Sequence, residues 1–566
     1  MSKIKIDWDK IATPEPVLTR FPSRRSVVYS TKGIVAASQP LAVEAGLEIL
    51  RKGGNAGWSL KTSAALNVTE PSCCGIGGDA FCLFYDAKTK TVKALNGSGH
   101  SPQKLTLEYL RERGVTGTSI PLTDLNSVTV PGAAAAWVDT VERFGSGKVT
   151  VAEVLAPAIR LAEEGVPVSE IHSLAWQHSE MLLNGKAPLQ GQIMKFPNLA
   201  QTFKEVATHG KDGYYKGRVA QAIVDLIQSQ GGVMDLEDLA KHKTSFVEPI
   251  KYTYADEVTL YECPPNGQGL TALIALGILE NLQEQGLTPL LDMAHNSPEY
   301  LHVLIEALRF CCPRFPVESA PDTQWYVADP EIEHVPVEKL LSKEYLASRA
   351  KLINPLKTNP EVVHGNPANS SDTVYFTVAD QWGNACSYIQ SNYAGCGFTL
   401  QNRGSGFVLK ENHPNVLKGG KRPYHTIIPA MVTRGDELFL SYGVMGGYMQ
   451  PQGHIQVLQG MLRGYTPQAA LDSPRFCISA GLPDSESKDS GNAGDINSEV
   501  YIEEGIPQAT IDKLKEMGHD ARPATGFQRG MFGRGQVIQK ITDSSGQFVW
   551  AAGSDLRADG HASPQI

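Results

Sequence analysis

The chain has 566 residues, of which 42% are hydrophobic and 20% are charged, and its formal net charge is −9. This composition is typical of a globular protein with a large core, while the negative charge argues against a surface for nucleic acid or anionic membranes. No apolar run approaches the roughly 18–20 residues that a membrane span needs. The first ten residues mix both charges without an apolar stretch, so we expect no signal peptide and a cytoplasmic location.

The cysteines give no sign of a metal site or a disulfide framework. There are nine of them, an odd number, and they include the adjacent pairs Cys73-Cys74 and Cys311-Cys312. Neither a Cys-x-x-Cys nor a His-x₃-His spacing occurs, which are the spacings that zinc ligands usually show. We therefore expect reduced thiols, no metal and no cofactor.

The first predicted elements are a strand and an amphipathic helix within residues 33–50, and the helix ends before the glycines at 53–54. Residues 81–85 and 91–95 predict a β-hairpin. The glycine cluster 75–78, which precedes the hairpin, lacks the Gly-x-Gly-x-x-Gly frame and the Lys-Ser/Thr pair of a phosphate-binding loop. We expect these glycines to allow close backbone packing between layers rather than to bind a nucleotide.

The middle of the chain has mainly helical periodicity and predicts a helical layer or lobe at about residues 150–250. The helices predicted there are 152–164, 169–183, 219–230 and 236–242. After them come a strand-like stretch over 252–262, an apolar helix over 270–282 and a further helix over 298–313.

Strands dominate after residue 370. A strand beginning at Thr373 and a return strand over 385–391 flank turn residues at 380–384, and later strands are predicted over 438–442 and 535–542. Two polar stretches, 355–372 and 482–498, are predicted to be surface insertions. No linker divides the chain cleanly, so we expect one interwoven domain.

Thr373 is the most distinctive candidate for chemistry. A hydroxyl residue at the first position of a buried hairpin, behind a polar loop, is where an N-terminal nucleophile would lie. Cleavage of the loop would give Thr373 an α-amine that could act as its own general base. On residue types alone, a threonine at the start of a strand is also typical of an ordinary loop boundary.

An ordered set of motifs makes the chain resemble the γ-glutamyltranspeptidase family of N-terminal nucleophile hydrolases. The set covers about residues 26–562 and comprises Gly33-Ile34-Val35-Ala36-Ala37, Gly53-Gly54-Asn55-Ala56, Glu70-Pro71 with Gly75-Ile76-Gly77-Gly78, Val130-Pro131-Gly132, Pro264-Pro265-Asn266-Gly267-Gln268-Gly269, Asp372-Thr373, Gly420-Lys421-Arg422-Pro423, Gly446-Gly447, Asp472-Ser473-Pro474-Arg475 and Ser554-Asp555-Leu556-Arg557-Ala558-Asp559-Gly560. No single motif is specific, but their order is.

The resemblance implies an α/β fold, a four-layer αββα sandwich with an extra helical lobe. It implies a precursor that cuts itself between Asp372 and Thr373 into segments 1–372 and 373–566, which remain together as a heterodimer. Thr373 would attack a substrate amide, and Ser391 matches a family threonine that hydrogen-bonds the nucleophile. Backbone N–H groups at Gly446 and Gly447 would hold the oxyanion, and the acyl group would pass to water or to an amine acceptor.

The residues that bind a γ-glutamyl group in the family are altered in this sequence. His100 stands where the family has an arginine for the substrate α-carboxylate, and Gly406 stands where it has an acid for the α-amine. His425-Thr426 replaces a serine pair. These features resemble the branch that includes glutaryl-cephalosporin acylases, whose substrates lack the α-amine. Arg403 is then either a replacement anion partner or a solvated loop arginine.

Two further departures concern the integrity of the fold and the pocket. Trp58 and Lys61 enter a helix that is rich in small residues in the family, where they would overpack it or bury a charge. Tyr448, directly after the oxyanion glycines, is bulkier than the Asp or Ser expected in this branch and would line the substrate pocket. Either this protein is catalytically impaired or its substrate pocket is rearranged.

Two functions follow from these observations. The first is a γ-glutamyltransferase-like amide hydrolase and acyltransferase that acts on glutathione-like γ-glutamyl compounds or on glutaryl amides. The second is a non-catalytic family member that binds γ-glutamyl-like anions or a partner. No Gly-x-Ser-x-Gly elbow occurs, which argues against an α/β-type serine hydrolase.

Overall fold

The computed structural model describes residues 4, 6–12, 25–58, 60–176, 182–287, 289–311, 327–359, 372–393, 400–479 and 499–566. The expected insertion at 482–498, most of the one at 355–372, and Cys312 lie outside these ranges. None of the helices in the described ranges has the length and apolar character that a membrane crossing requires. The seven cysteines within them are buried and are not disulfide-bonded.

Two antiparallel seven-stranded sheets form the centre of the described fold. Sheet I has the order β1-β18-β17-β13-β12-β9-β8 and sheet II the order β19-β2-β10-β11-β3-β4-β7. Sheet I comprises β1 (Val28–Ser30), β8 (Ile250–Tyr254), β9 (Val258–Glu262), β12 (Ala430–Arg434), β13 (Glu437–Met445), β17 (Arg534–Thr542) and β18 (Phe548–Ser554). Sheet II comprises β2 (Ile34–Ala37), β3 (Asp79–Asp86), β4 (Thr91–Gly97), β7 (Ser245–Val247), β10 (Asp372–Ala379), β11 (Ala385–Tyr393) and β19 (His561–Pro564).

The side chains of β10 alternate between two core regions and show how the layers pack together. Val374, Phe376 and Val378 pack in the core beneath the helices, whereas Tyr375 and Ala379 pack between the two sheets. Successive side chains of a strand point to opposite faces, so the sequence Thr-Val-Tyr-Phe-Thr-Val suits a strand that is buried on both faces. The same alternation places Thr373 on the inter-sheet face, with Tyr375.

Helices cover the outer face of each sheet. On sheet II lie α2 (Pro40–Arg51), α3 (Leu60–Thr69), α5 (Ala133–Phe144), α6 (Val151–Glu164), α8 (Pro197–His209), α9 (Asp212–Tyr215), α10 (Gly217–Ser229) and α11 (Leu236–Ala240). On sheet I lie α12 (Gly269–Glu284), α13 (Pro298–Phe310), α15 (Lys343–Ala350), α16 (Met449–Leu462), α17 (Pro467–Asp472) and α18 (Gln508–Glu516). The four-layer αββα arrangement is therefore confirmed.

The remaining elements are short and lie outside the two central sheets. They are the helices α1 (Trp8–Ala12), α4 (Leu107–Glu112), α7 (Glu170–Ala175) and α14 (Val337–Leu340), and the strands β5 (Val166–Pro167), β6 (Ile193–Met194), β14 (Phe476–Ser479), β15 (Glu499–Glu503) and β16 (Asp520–Ala524). The predicted helical region at 150–250 is present, and its helices pack on the helices next to sheet II and share their hydrophobic core.

Two sequence predictions of single elements were wrong in detail. The stretch 252–262 is not one strand but the hairpin β8–β9, because Ala255 and Asp256 adopt φ values of 56° and 55° and reverse the chain. The helix predicted over 169–183 is limited in the described residues to α7, which ends at Ala175. Trp176 follows it, residues 177–181 lie outside the described ranges, and Leu183 forms an isolated β-bridge with Lys186.

The fold provides space for Trp58 and an ionic partner for Lys61. The Trp58 ring fills space that Gly145 leaves open, since a Cβ on Gly145 would lie 2.9 Å from it, and its Nε1 donates to Ser146 Oγ at 3.2 Å. Lys61 is fully buried, but its Nζ lies 3.0 Å from Glu48 Oε2 on the neighbouring helix α2. Burial lowers the pKa of Lys61 to about 8, against the opposing influence of Glu48. The rearranged helix is therefore accommodated.

Candidate active site

Thr373 lies at the start of β10 and is completely buried. The register pairs it with Ser391 on β11, and Ser391 pairs in turn with Asp79 on β3. Three polar residues on adjacent strands thus form one row across sheet II. The Thr373 hydroxyl donates a hydrogen bond to Ser391 Oγ at 3.2 Å, and the register is irregular between Asp372 and Thr373.

Gln390 supports this row from the helical side. Its Oε1 accepts hydrogen bonds from Ser63 Oγ on α3 and from Trp137 Nε1 on α5, the second at 2.9 Å. Its Nε2 donates to the carbonyl of Gly75 at 2.7 Å, within the glycine cluster. The small-residue helix and the glycine cluster therefore hold β11 directly beside Ser391.

Gly446 and Gly447 connect β13 to α16 and have φ values of 126° and 55°. These values favour glycine, because a Cβ would be strained at both positions. Gln268 fixes this loop: its Nε2 donates to the carbonyls of Gly447, at 2.8 Å, and of Thr426, at 2.6 Å. The arrangement leaves a side-chain-free backbone at the start of a helix, a suitable donor position for an oxyanion.

Asp79 is a site residue that the sequence analysis did not assign. It is fully buried, and its Oδ1 accepts from the backbone N–H groups of Gly99, at 2.9 Å, and Gly132, at 3.2 Å. Its Oδ2 accepts from Gln401 Nε2 at 2.9 Å and from His425 Nε2 at 3.0 Å. The signal available in the sequence was an aspartate directly after the glycine cluster 75–78.

His425 is held neutral in this network. Burial, and after it the positive charge of Arg403, lowers the pKa of His425 to about 4. Because the backbone N–H of Ile427 donates to Nδ1 at 3.3 Å, we assign the ring proton to Nε2, which donates to Asp79. His425 therefore positions the carboxylate and carries no charge for a substrate.

Arg403 is only 1% exposed, so the interpretation of it as a solvated loop residue was wrong. Its Nη2 donates to Thr426 Oγ1 at 3.1 Å, and Thr426 is itself fully buried. The arginine thus brings a positive charge into the interior beside His425 and Thr426. A guanidinium in this position can pair with a carboxylate through two parallel hydrogen bonds.

His100 and Tyr448 take different places around the site. Burial, and then the Arg422 guanidinium, lowers the pKa of His100 to about 3, so it offers no cation to a substrate. Its ring meets His242 edge-on at 5.9 Å. The Tyr448 ring stacks on Tyr424 at 6.0 Å, and the Tyr424 hydroxyl donates to Gln268 Oε1 at 2.7 Å, so Tyr448 borders the loop that carries Gly447.

The structure therefore contains two adjoining groups of residues. We call Thr373, Gln390, Ser391, Gly446 and Gly447 the nucleophile cluster. We call Asp79, His100, Arg403, His425 and Thr426 the recognition cluster. The register of β3 and β11 joins them through Ser391 and Asp79. Within the described ranges, one further group of side chains, Glu70, Cys73 and His172, has the composition and spacing of metal ligands.

Comparison with known proteins gives consistent matches over almost the whole chain. The family model for gamma-glutamyltranspeptidase matches residues 42–565. A glutathione hydrolase-like YwrD proenzyme of Bacillus subtilis is 34% identical, with 94% of this chain and 99% of that protein covered. An oxamate amidohydrolase proenzyme of Klebsiella pneumoniae is 30% identical, with 90% and 95% covered.

Among solved structures, a cephalosporin acylase from Bacillus halodurans is similar with a TM-score of 0.82. It is 36% identical in sequence, and the match covers 97% of this chain and 99% of that one. The similarity therefore extends to the complete arrangement of layers.

Proposed function

The chain belongs to the γ-glutamyltranspeptidase family, and we propose that it is an amide hydrolase and acyltransferase that cleaves itself before Thr373. The observation that carries this proposal is the contact of the fully buried Thr373 hydroxyl with Ser391 Oγ at the start of β10. Nucleophilic amide cleavage requires a positioned hydroxyl and an oxyanion donor. Ser391 positions the Thr373 hydroxyl, and we assign the donor role to the backbone N–H groups of the Gly446-Gly447 loop.

Self-cleavage would begin with attack of Thr373 Oγ1 on the carbonyl carbon of Asp372. The peptide C–N bond breaks as the C–O bond forms, which gives an ester and the α-amine of Thr373. Water then hydrolyses the ester and leaves a carboxylate at Asp372. The two segments would remain associated, because β10 and β11 of segment 373–566 lie between β2 and β3 of segment 1–372.

In turnover, Thr373 Oγ1 would attack the substrate amide while its α-amine takes the hydroxyl proton. Ser391 orients the nucleophile, and the Gly446-Gly447 backbone stabilises the oxyanion. The amine returns the proton to the leaving nitrogen, and the C–N bond breaks. The resulting ester on Thr373 is then attacked by water, which gives hydrolysis, or by an amine acceptor, which gives transfer.

The recognition cluster favours an acyl group that has a terminal carboxylate but no α-amine. The Asp79 carboxylate already accepts four hydrogen bonds, so it has little remaining capacity for a substrate ammonium. Arg403 supplies a buried cation, and His425 is neutral. We therefore propose monoamides of short dicarboxylic acids, such as glutaryl amides, over γ-glutamyl amides. One relative is named for oxamate, which is an amine-free monoamide of this kind.

The non-catalytic alternative has lost one of its two supports. It depended on the Trp58–Lys61 anomaly, which the fold accommodates, and on His100 in place of an arginine. A neutral His100 affects the choice of acyl group and not the chemistry at Thr373.

The proposal is tested by comparing glutaryl and γ-glutamyl p-nitroanilides as substrates of the purified protein. We expect kcat/KM to be at least about tenfold higher for the glutaryl compound. A charge-assisted pair between the substrate carboxylate and the buried arginine contributes roughly 1.5–3 kcal/mol. The γ-glutamyl compound can form the same pair, but it must also bury an ammonium group that has no partner. The Thr373→Ala protein is the control and should release no nitroaniline from either compound. A preference for the γ-glutamyl compound would contradict the proposed acyl class.

A further inference from the structure

A group of three potential metal ligands lies between α3 and α7. Glu70 follows the last residue of α3, and a tight turn brings Cys73 back towards it, with the Cys73 N–H donating to the Glu70 carbonyl at 3.0 Å. His172 comes from α7, whose first turn donates two backbone N–H groups to the Asp559 carboxylate at 2.9 Å. One ligand atom from each of Glu70, Cys73 and His172 lies within 4.8 Å of the other two.

These side chains are buried, and two of their polar atoms form no hydrogen bond with the described residues. Glu70 and His172 are each 1% exposed and Cys73 is fully buried. Glu70 Oε2 and His172 Nδ1 have no hydrogen-bond partner among the described residues. The other ring nitrogen, His172 Nε2, contacts Ser72 Oγ at 3.2 Å. A buried polar atom without a hydrogen-bond partner is costly to the folded state, so two of them in one buried group with a thiol require an explanation.

We propose that Glu70, Cys73 and His172 bind a divalent transition metal ion of the zinc type. A thiolate, an imidazole and a carboxylate match the ligand preferences of Zn²⁺ and its Co²⁺ substitute, and they do not suit Mg²⁺ or Ca²⁺. Binding would release the Cys73 thiol proton to solvent. Three protein ligands leave the fourth tetrahedral position open.

The surroundings of the three residues have the features of an outer coordination shell. Gln39 Nε2 donates to Glu70 Oε1 at 3.1 Å and orients the carboxylate. Arg534 Nη2 lies 3.5 Å from Cys73 Sγ, and its Nη1 lies 3.9 Å from Glu70 Oε2. The guanidinium repels a cation, but the two anionic ligands outweigh its single charge, and its hydrogen bond to sulfur favours the thiolate.

The site would lie beside the catalytic loop without belonging to it. Arg534 Nε also contacts Met445 Sδ at 3.4 Å, and Met445 directly precedes Gly446. Paired ligand spacings in the sequence do not reveal this group, because only Glu70 and Cys73 are close in sequence and the third ligand is on α7. The expectation of no metal is revised by this proposal.

Cobalt titration of the full chain tests the site without any substrate. The protein is treated with a chelator, dialysed and titrated with Co²⁺. We expect one equivalent to bind per chain, with a thiolate-to-cobalt charge-transfer band in the near ultraviolet. The Cys73→Ser protein should lose this band and bind Co²⁺ more weakly by a larger factor than the roughly 10–100-fold that loss of an outer-shell partner causes.

Cys74 provides a matched control, because it is also buried and is adjacent in sequence. Its Sγ accepts from Asn67 Nδ2 at 3.3 Å and is not part of the ligand group. Cys74→Ser should therefore keep the band. Absence of saturable binding, or a band that survives in Cys73→Ser or disappears in Cys74→Ser, would overturn the proposal.

If Cys73→Ser does not fold, His172→Gln gives an independent measurement. It retains a polar side chain of similar size and should shift the cobalt absorption and reduce the zinc that copurifies with the protein, measured by elemental analysis. Unchanged zinc content and cobalt spectrum in this variant would count against the site. Because none of these signals needs amide hydrolysis, failure of the proposed function would leave them unaffected.

Discussion

The nucleophile cluster and the recognition cluster adjoin each other but are built differently. The nucleophile cluster combines hydroxyls, an amide and bare backbone, and its central contact joins residues 18 positions apart on one hairpin. The recognition cluster combines charges and imidazoles, and its contact between His425 and Asp79 joins residues 346 positions apart. The pairing of Thr373 with Ser391 is therefore fixed by local backbone geometry, whereas the recognition cluster depends on contacts between distant parts of the chain.

The largest predicted effect tests the nucleophile cluster. Ser391→Ala should lower kcat about 10³-fold for every amide substrate, because the nucleophile loses the hydroxyl that orients it and shares its proton. Ser391→Thr retains the hydroxyl and should keep most of the activity. Steady-state kinetics on a glutaryl anilide distinguishes these outcomes, and an unchanged kcat in Ser391→Ala would remove Ser391 from the mechanism.

The support beneath the nucleophile cluster gives the second prediction. Glu48→Ala should destabilise the fold by about 3 kcal/mol, because it leaves the fully buried Lys61 ammonium without its partner. Lys61→Met removes the buried charge itself and should change stability by less than about 1 kcal/mol. Urea unfolding of the uncleaved Thr373→Ala chain compares the two variants. Equal losses would show that Lys61 is not held as described.

The recognition cluster gives the third prediction. Arg403→Met should lower kcat/KM for glutaryl anilide about 30-fold, which corresponds to about 2 kcal/mol for a charge-assisted hydrogen bond. It should leave kcat/KM unchanged for an anilide of a neutral acyl group of the same length. Equal losses on both substrates would indicate that Arg403 is structural and would weaken the division between the two clusters.

The smallest effect concerns His242, which borders the recognition cluster. Burial, and then the neighbouring His100 and Arg422, lowers the pKa of His242 to about 3, and neither ring nitrogen has a hydrogen-bond partner among the described residues. The ring stacks on Tyr215 at 5.3 Å. His242→Phe should keep this stacking and stabilise the protein by up to about 1 kcal/mol at pH 7.

The stability that His242→Phe gains over the wild-type protein should increase as the pH falls. Below about pH 6.5 the unfolded chain binds a proton at His242 that the folded chain, with its lowered pKa, does not bind. The wild-type chain therefore loses stability from this residue as pH decreases towards 3, by at most about 1.4 kcal/mol per pH unit. Thermal unfolding of the two proteins at pH 7 and pH 5 measures this stability difference. A difference that is no larger at pH 5 than at pH 7 would contradict a neutral His242 ring in the folded protein.

The sequence predicted the nucleophile cluster better than the recognition cluster for a physical reason. The short turn at 380–384 fixes the register of β10 and β11, so Thr373 and Ser391 are paired once both strands are recognised. Asp79 could not be assigned in the same way, because its four donors come from loops whose approach depends on the whole sandwich. Arg403 was recognised as a candidate, but its burial is a tertiary property.

The fold shows the same limit. The layer order followed from the motif set. Most elements were located by the periodicity of their hydrophobic residues, including α2, α6, α12 and the β3–β4 hairpin. The β8–β9 hairpin was missed, because its turn uses Ala255 in a left-handed conformation that alanine rarely adopts. The ion pair of Lys61 with Glu48 was also not foreseen, since it depends on how α2 packs against α3.

The central claim, that Thr373 is an N-terminal nucleophile, is tested most directly by intact mass spectrometry and N-terminal sequencing of the purified protein. We predict two fragments that copurify, one of which begins at Thr373, and a single uncut chain for Thr373→Ala. A wild-type protein that remains a single chain of 566 residues, or a cut at any other bond, would contradict the claim.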